Sequence, residues 1–287
     1  MKRLVWATDV HLEFADKATR SLFAKSIVNQ QADALLLTGD IANFKLIERL
    51  LVELQKQIGI PIYFNMGNHD FYGGSIARGR SWATDVSEYA PKLLWIEGAG
   101  VVELNSNVCL VGVDGWGDGR LGNYMGSDVL LNDWDLIDEF ADIDALRDRG
   151  QRVKLLNQLG YRAAKRIRAT LERALPKYSR ILLMTHVPPW KEATWHEGAH
   201  SDNDWLPWFS CKGVGEAIVD VAAQFPDSKV TVICGHTHGN GFSKINEQVE
   251  VHTGGAKYRS PAVQCSFDVS NGQIVRVGSN TWFTTGY

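Results

Sequence analysis

Short apolar runs that end abruptly in ligand-type polar residues are the feature that most constrains this chain. The run at 4–7 leads into Asp9-Val10-His11, that at 34–37 into Gly39-Asp40, and that at 61–64 into Gly67-Asn68-His69-Asp70. Later, 181–185 leads into His186 and 229–234 into Gly235-His236-Thr237-His238. Between the first three runs lie amphipathic stretches, near 15–30 and 46–57, with helical periodicity. Strand, crossover helix and strand in succession predict a βαβαβ unit with parallel pairing, because parallel neighbours need a long crossover. Loops that carry function in such sheets gather at the carboxyl ends of the strands, which is where all five polar clusters fall.

A further apolar run at 108–113 is followed by a Gly- and Asp-rich stretch at about 114–152, which reads as a cap-like insertion leading into a helix near 153–175. The runs at 181–185 and 229–234 read as buried strands separated by a helix near 214–225, and the C-terminal stretch alternates as antiparallel strands do. The 287 residues, 45% of them apolar, fit one large α/β domain. A formal charge of −3 gives no overall pull toward nucleic acid or an anionic membrane, so attraction for an anion has to be built locally. The first apolar run is cut at Asp9, too early for a signal peptide, and no run reaches the ~18 apolar residues of a spanning helix. A cytoplasmic protein is expected. Cys109, Cys211, Cys234 and Cys265 form no C-x-x-C pair and read as buried free thiols.

An i, i+2 pair on an extended segment points to one side, so Asp9 with His11, and His236 with His238, are spaced to chelate. Glycines ahead of Asp40, Asn68 and His236 suit a sharp exit from the strand. Taken singly, an Asp after Gly is a turn or helix cap, and a lone His is a satisfied polar residue. Seven ligand-capable side chains, Asp9, His11, Asp40, Asn68, His186, His236 and His238, recurring at the same end of successive strands point instead to a metal centre. Imidazole and carboxylate suit borderline divalent ions such as Mn, Fe, Zn or Ni without choosing among them.

The ordered D-x-H, G-D, G-N-H-D, H and G-H-x-H blocks resemble the calcineurin-like metallophosphoesterase family from Asp9 to His238. The resemblance implies a four-layer αββα sandwich of two mixed sheets. It also implies two divalent ions bridged by one aspartate and by a water or hydroxide, acting on a phosphomonoester or phosphodiester by in-line attack. Carried onto this chain, it implies that Asp9, His11, Asp40 and His238 bind one ion and Asp40, Asn68, His186 and His236 the other, with Asp40 as the bridge. His69 would lie near the leaving group and Asp70 would help orient it. Asn43 stands where relatives have a second Asp or Asn after the G-D block, leaving the ligands intact. Val251-His252-Thr253-Gly254-Gly255 replaces an Asn-Pro-Gly-Ser type turn, which affects local substrate contacts.

His196-Glu197-Gly198-Ala199-His200 matches the H-E-x-x-H helix motif of zinc proteases, but Pro188 and Pro189 upstream and Gly198 inside it argue against a helix. The segment 188–210, with Trp190, Trp195, Trp205 and Trp208, reads either as a loop over the metals that brings Trp195 and His196 to substrate, or as tryptophans packed on the core. In the insertion, Trp116, Asp118, Arg120 and Tyr124 follow a strand and could reach the pocket. Arg120 reads as a phosphate clamp or as a weak surface ion pair. Asp128, Asp133, Asp135, Asp138, Glu139, Asp142 and Asp144 read as a solvated acidic face that disfavours nucleic acid. Three function classes compete: a phosphoester hydrolase, an interaction scaffold keeping the same fold, and a zinc protease. The presence of His69 beside every ligand favours the first. The expected substrate is a small organic phosphate or nucleotide, with ester type and oligomeric state left open.

Overall fold

The computed structural model describes residues 1–141 and 148–278. The first stretch runs β1 (Arg3–Ala7), α1 (Lys17–Val28), β2 (Ala34–Thr38), α2 (Ile47–Ile58), β3 (Ile62–Asn65), α3 (Ile76–Tyr89) and β4 (Leu93–Trp95). A one-turn helix α4 (Ile96–Ala99) then leads to β5 (Val102–Glu103) and β6 (Val108–Val113). Two short helices, α5 (Asp133–Leu136) and α6 (Asp138–Ala141), precede the long α7 (Arg149–Ala174) and β7 (Arg180–Thr185). A hairpin of β8 (Trp195–His196) and β9 (Ala199–His200) is followed by α8 (Leu206–Phe209), α9 (Lys212–Ala222) and β10 (Lys229–Cys234). The chain continues through β11 (Gly241–Lys244), β12 (Val249–Thr253), β13 (Val263–Asp268) and β14 (Val275–Val277).

Two sheets result, ordered β14-β13-β1-β2-β3-β4 and β11-β12-β10-β7-β6-β5. Pairing from β1 to β4 and among β6, β7, β10 and β12 is parallel, while β13 and β14 on one sheet and β11 and β5 on the other are antiparallel. The side-chain parity of the strands shows how they stack. Leu4, Trp6, Leu36 and Tyr63 from the first sheet share one apolar core with Val108, Leu110, Leu182, Met184 and Ile233 from the second. The intervening residues Val5, Leu35, Leu37 and Phe64 pack instead with Phe23, Ile27, Leu50 and Leu51 of α1 and α2. Likewise Val111, Ile181, Leu183 and Val232 pack with Ile167, Leu171, Ile218 and Val221 of α7 and α9. Strands apolar on both faces therefore sit between a helix layer and a partner sheet, which is the four-layer αββα sandwich expected. All four cysteines are buried and free. Among the described residues, no helix is long and apolar enough to cross a membrane.

The insertion is partly core. Trp116, Tyr124 and Trp134 are buried against the helix-side core of the first sheet. Its acids divide: Asp128, Asp135 and Asp138 are exposed, as a solvated face requires, and Asp142 and Asp144 lie outside the described residues. Asp133 is buried, however, and Glu139 caps α3 by accepting from the Ile76 and Ala77 amides at 2.8 and 2.9 Å. In the H-E-x-x-H segment, Glu197 and Gly198 have φ of 48° and 79° and form the tight turn between β8 and β9. The two histidines are therefore on a hairpin rather than a helix.

Candidate metal centre

The loops after β1, β2 and β3 of one sheet meet those after β7 and β10 of the other along a common edge. They bring Asp9 and His11, Asp40, Asn68 and His69, His186, and His236 with His238 into one cluster. The loops are laced together by backbone bonds, from Asp9 N to Gly39 O at 3.1 Å, His11 N to Asp40 O at 3.0 Å and Gly235 N to His186 O at 2.9 Å. Convergence does not come from extended pairs, as the i, i+2 spacing had suggested. Asp9, His11, Asp40, His236 and His238 all lie at positive φ, between 38° and 72°, so β1, β2 and β10 each exit through left-handed backbone that turns these side chains inward. Gly39, at φ 86°, is where β2 makes this exit, and a Cβ there would strike the His186 ring. A Cβ on Gly67 would fall on Asp40 Oδ1.

Asp40, 1% exposed, lies between two groups of nitrogen and oxygen donor atoms. Its Oδ2 is 3.7 Å from His11 Nε2. On that side His11 Nε2 is 3.3 Å from His238 Nε2, which is 3.5 Å from Asp9 Oδ1. Asp40 Oδ1 is 3.4 Å from His186 Nε2. On that side His186 Nε2 is 3.3 Å from Asn68 Oδ1 and 3.2 Å from His236 Nδ1. Asp9, His11, Asp40 and His238 place ligand atoms within 4.8 Å of one another, a candidate metal-binding group.

Proton positions follow from carbonyl partners. His186 Nδ1 is 2.8 Å from Thr38 O, and His236 Nε2 is 3.2 Å from Trp208 O. A carbonyl only accepts, so both of those nitrogens carry hydrogen. That leaves His186 Nε2 and His236 Nδ1 facing each other at 3.2 Å as the nitrogens available to a ligand. Two imidazole nitrogens turned to one point beside the Asp40 carboxylate are a donor set that fits a divalent metal. Burial, with neighbouring histidine charge, pulls His236 down to about 3 and His11 below the usual imidazole range. Burial also pulls His238 down, but the Asp9 hydrogen bond and charge outweigh it and the net shift is upward. Burial and then the charge of Asp9 raise Asp40 well above the usual carboxylate range. Burial also acts to raise Asp9, but its hydrogen bond to His238 and the surrounding histidines leave it net lowered.

His69 lies at the edge of this group, with Nε2 4.0 Å from Asp40 Oδ2 and its amide donating to Asp40 Oδ1 at 3.0 Å. Asp70 is placed differently from the sequence expectation. Its Oδ1 accepts from the Ile41 and Ala42 amides at 2.7 and 2.9 Å, and its Oδ2 from Gly67 N at 2.7 Å. The carboxylate thus ties the loop after β2 to the loop after β3 and is not bonded to the His69 ring. Arg120 is 3.4 Å from Glu216 and does not line the cleft at the centre. Its surface-pair reading is the one observed. Trp195 also stays outside the cleft, with its ring against His200 at 4.1 Å and its Nε1 3.3 Å from Ser243 Oγ. Trp208 and Trp190 pack on the cores, so the Trp-rich segment reaches the cleft through His196 and Phe209.

Two residues near the centre carried no sequence signal. Asp133 Oδ1 accepts from Tyr72 Oη at 2.7 Å and belongs to a segment otherwise legible only as acidic. Tyr258 leans on His11 and meets His238 edge-on, with ring centroids 4.6 and 5.2 Å apart, yet is an isolated aromatic in a loop.

The family model described as calcineurin-like phosphoesterase matches residues 2–240. A comparison with curated protein sequences finds no match. Among solved structures, the chain is similar to phosphopantetheinyl hydrolase of Mycobacterium tuberculosis at 14% identity and a TM-score of 0.63, covering 91% of this chain and 94% of that one. It is also similar to a dimetal phosphatase of Danio rerio, at 14% identity and a TM-score of 0.59 over 93% and 92% of the two chains. An anchor protein of the inner membrane complex of Plasmodium is similar too, at 12% identity and a TM-score of 0.53 over 96% and 83%. At such identities these likenesses bear on the fold.

Proposed function

The chain belongs to the calcineurin-like phosphoesterase family and is a metal-dependent phosphoester hydrolase; on that premise, we propose that it cleaves a small organic phosphate ester at a dinuclear centre to which Asp40 would contribute a ligand for both ions. Asp9, His11, Asp40 and His238 would hold one divalent ion, and Asp40, Asn68, His186 and His236 would hold the other. The observation that carries this reading is the division of ligand atoms about the two oxygens of Asp40, 3.7 Å from His11 on one side and 3.4 Å from His186 on the other. A pair of divalent ions in such a site supplies Lewis acidity for a phosphoryl oxygen and for the attacking water.

The protein's own groups do the rest. Thr38 O and Trp208 O fix the tautomers of His186 and His236, so their lone pairs are already directed inward before any ion arrives. His69 is pulled to about 4 by burial and then by the neighbouring His186, and meets substrate as a neutral N–H donor. Its role is to hydrogen-bond charge that develops on the leaving or phosphoryl oxygen. Asp70 is assigned to holding the two loops in register. The hairpin geometry of His196 and His200 gives no support to a zinc protease. The test is metal analysis of the purified protein together with assays on a phosphomonoester, a phosphodiester and casein in the presence of Mn. Metal-dependent release from either phosphoester supports the proposal; casein cleavage alone, or no turnover with metal fully bound, sinks it.

A further inference from the structure

The cleft that contains Asp40, Asn68, His69, His236 and His238 has a volume of about 260 Å³ and is open to solvent. Beyond those polar residues, its larger lining side chains are Tyr72, Leu130, Leu131, Phe209 and Tyr258. Leu130 and Tyr258 are 44% and 45% exposed, and Phe14, which meets Tyr258 edge-on at an interplanar angle of 89°, is 47% exposed. One exposed apolar side chain means little. Here the exposed side chains border a polar centre, and Tyr258, tilted at 39° against the His11 ring with Phe14 edge-on behind it, forms an aromatic wall beside that centre.

Charge gives a second, independent observation. Among the described residues lining the cleft there is no lysine or arginine. A phosphoryl group at the centre would be met by the bound ions. A second phosphate or a carboxylate farther out would meet no lysine or arginine there, only Asn132, Thr237 and the His196 ring. The walls suit an uncharged apolar or aromatic group, which gains from leaving water and from stacking.

Resting on the phosphoester reading above, we infer that the substrate carries a single phosphoryl group on an uncharged, apolar or aromatic organic moiety, which packs on Tyr258 and against Leu130 and Phe209. Polyphosphates and esters that bear further anionic groups are disfavoured, because the lining offers them no lysine or arginine. Tyr258 is then a specificity residue that touches substrate away from the reacting atoms.

Non-hydrolysable phosphonates test this without turnover. Calorimetry on the Mn-loaded full-length protein would compare methylphosphonate with naphthylmethylphosphonate, and butylphosphonate with 4-phosphonobutyrate. The head group is shared, so each ratio reports the organic part alone. The aryl compound is expected to bind about tenfold tighter than the methyl compound or better, and the remote carboxylate to weaken binding relative to butylphosphonate. Tyr258→Ala should cut the aryl-to-methyl ratio to below about threefold, and Tyr258→Phe should restore it. Equal affinity for aryl and methyl compounds, tighter binding of the carboxylate, or an undiminished ratio in Tyr258→Ala each overturn the inference. Failure of every phosphonate to bind overturns the phosphoester reading itself, and this inference with it.

Discussion

Asn68 Nδ2 stands 2.8 Å from Asp133 Oδ1, a hydrogen bond that joins the insertion to the proposed metal centre across 65 residues of chain. An amide side chain can turn either its oxygen or its nitrogen toward a ligand. Here the nitrogen is held by Asp133 and by Tyr72 Oη, 3.0 Å away, which leaves the oxygen facing His186 Nε2.

Asp133→Ala should therefore weaken binding at the Asn68 side of the pair by about 10- to 100-fold, the usual effect of losing a group that orients a ligand. Asp133→Asn keeps an acceptor oxygen in place and should have a much milder effect. Titrating Mn into metal-free protein resolves the two; indistinguishable affinities for Asp133→Ala and the parent protein would refute the orienting role.

At Asp40, substitution by Asn is expected to remove bound metal and turnover together, because on the proposed reading one carboxylate would serve both ions. His69→Gln should retain metal and lower turnover by about 10²- to 10⁴-fold, the range for a lost proton-transfer or hydrogen-bonding group. Metal analysis beside a phosphoester assay separates them. Unchanged turnover in either variant contradicts its assigned role.

Asp70 accepts three backbone hydrogen bonds while fully buried. Removing it in Asp70→Ala strands three amides, at about 1–3 kcal/mol for each buried donor left unpaired. The unfolding free energy from urea titration should fall by roughly 3 kcal/mol or more, with Asp70→Asn losing less. A stability within about 1 kcal/mol of the parent would show that the loops close without this tie.

His252, on β12, is 8% exposed between the Phe242 and Phe267 rings, and burial, then the charge of Arg276, lowers it to about 4. Between that value and the ordinary 6.5 the unfolded chain binds a proton that the folded chain does not. The neutral ring thus contributes stability that is present above about 6.5 and lost as pH falls toward 4, by at most about 1.4 kcal/mol per pH unit. His252→Phe should show a shallower fall in urea-unfolding free energy between pH 7 and pH 5. Parallel curves for the two proteins would rule out His252 as a source of the acid sensitivity.

The sandwich was legible because its signal is local and repeated. Strands apolar on both faces, broken by amphipathic helices, leave few other layer arrangements, and the strand bounds at 108–113 and 229–234 match the structure. The segment 76–95 gave no reading, since α3 buries only Gly79, Ala83 and Val86 and so has a narrow apolar stripe. Around the candidate site, the ligand types and their order stood out because the structure gathers them from successive strand ends. The left-handed exits did not, because Asp and His tolerate positive φ without requiring it, and tertiary closure decides. Asp133 was hidden for a different reason: nothing local distinguishes a buried acid from its exposed neighbours Asp135 and Asp138. The same holds for Arg120, whose long side chain serves an ion pair or a phosphate equally well until its surroundings are known.

Backbone strain at the strand exits has an evolutionary corollary. Asp9, His11, Asp40, His236 and His238 each occupy a conformation that costs a non-glycine residue of the order of 1 kcal/mol. Repeated selection of this chain for heat tolerance alone would favour Gly or Asn at those positions. The lineage would grow hardier as its grip on the proposed ions loosened, so the residues that make it useful are those a purely thermal criterion would discard first.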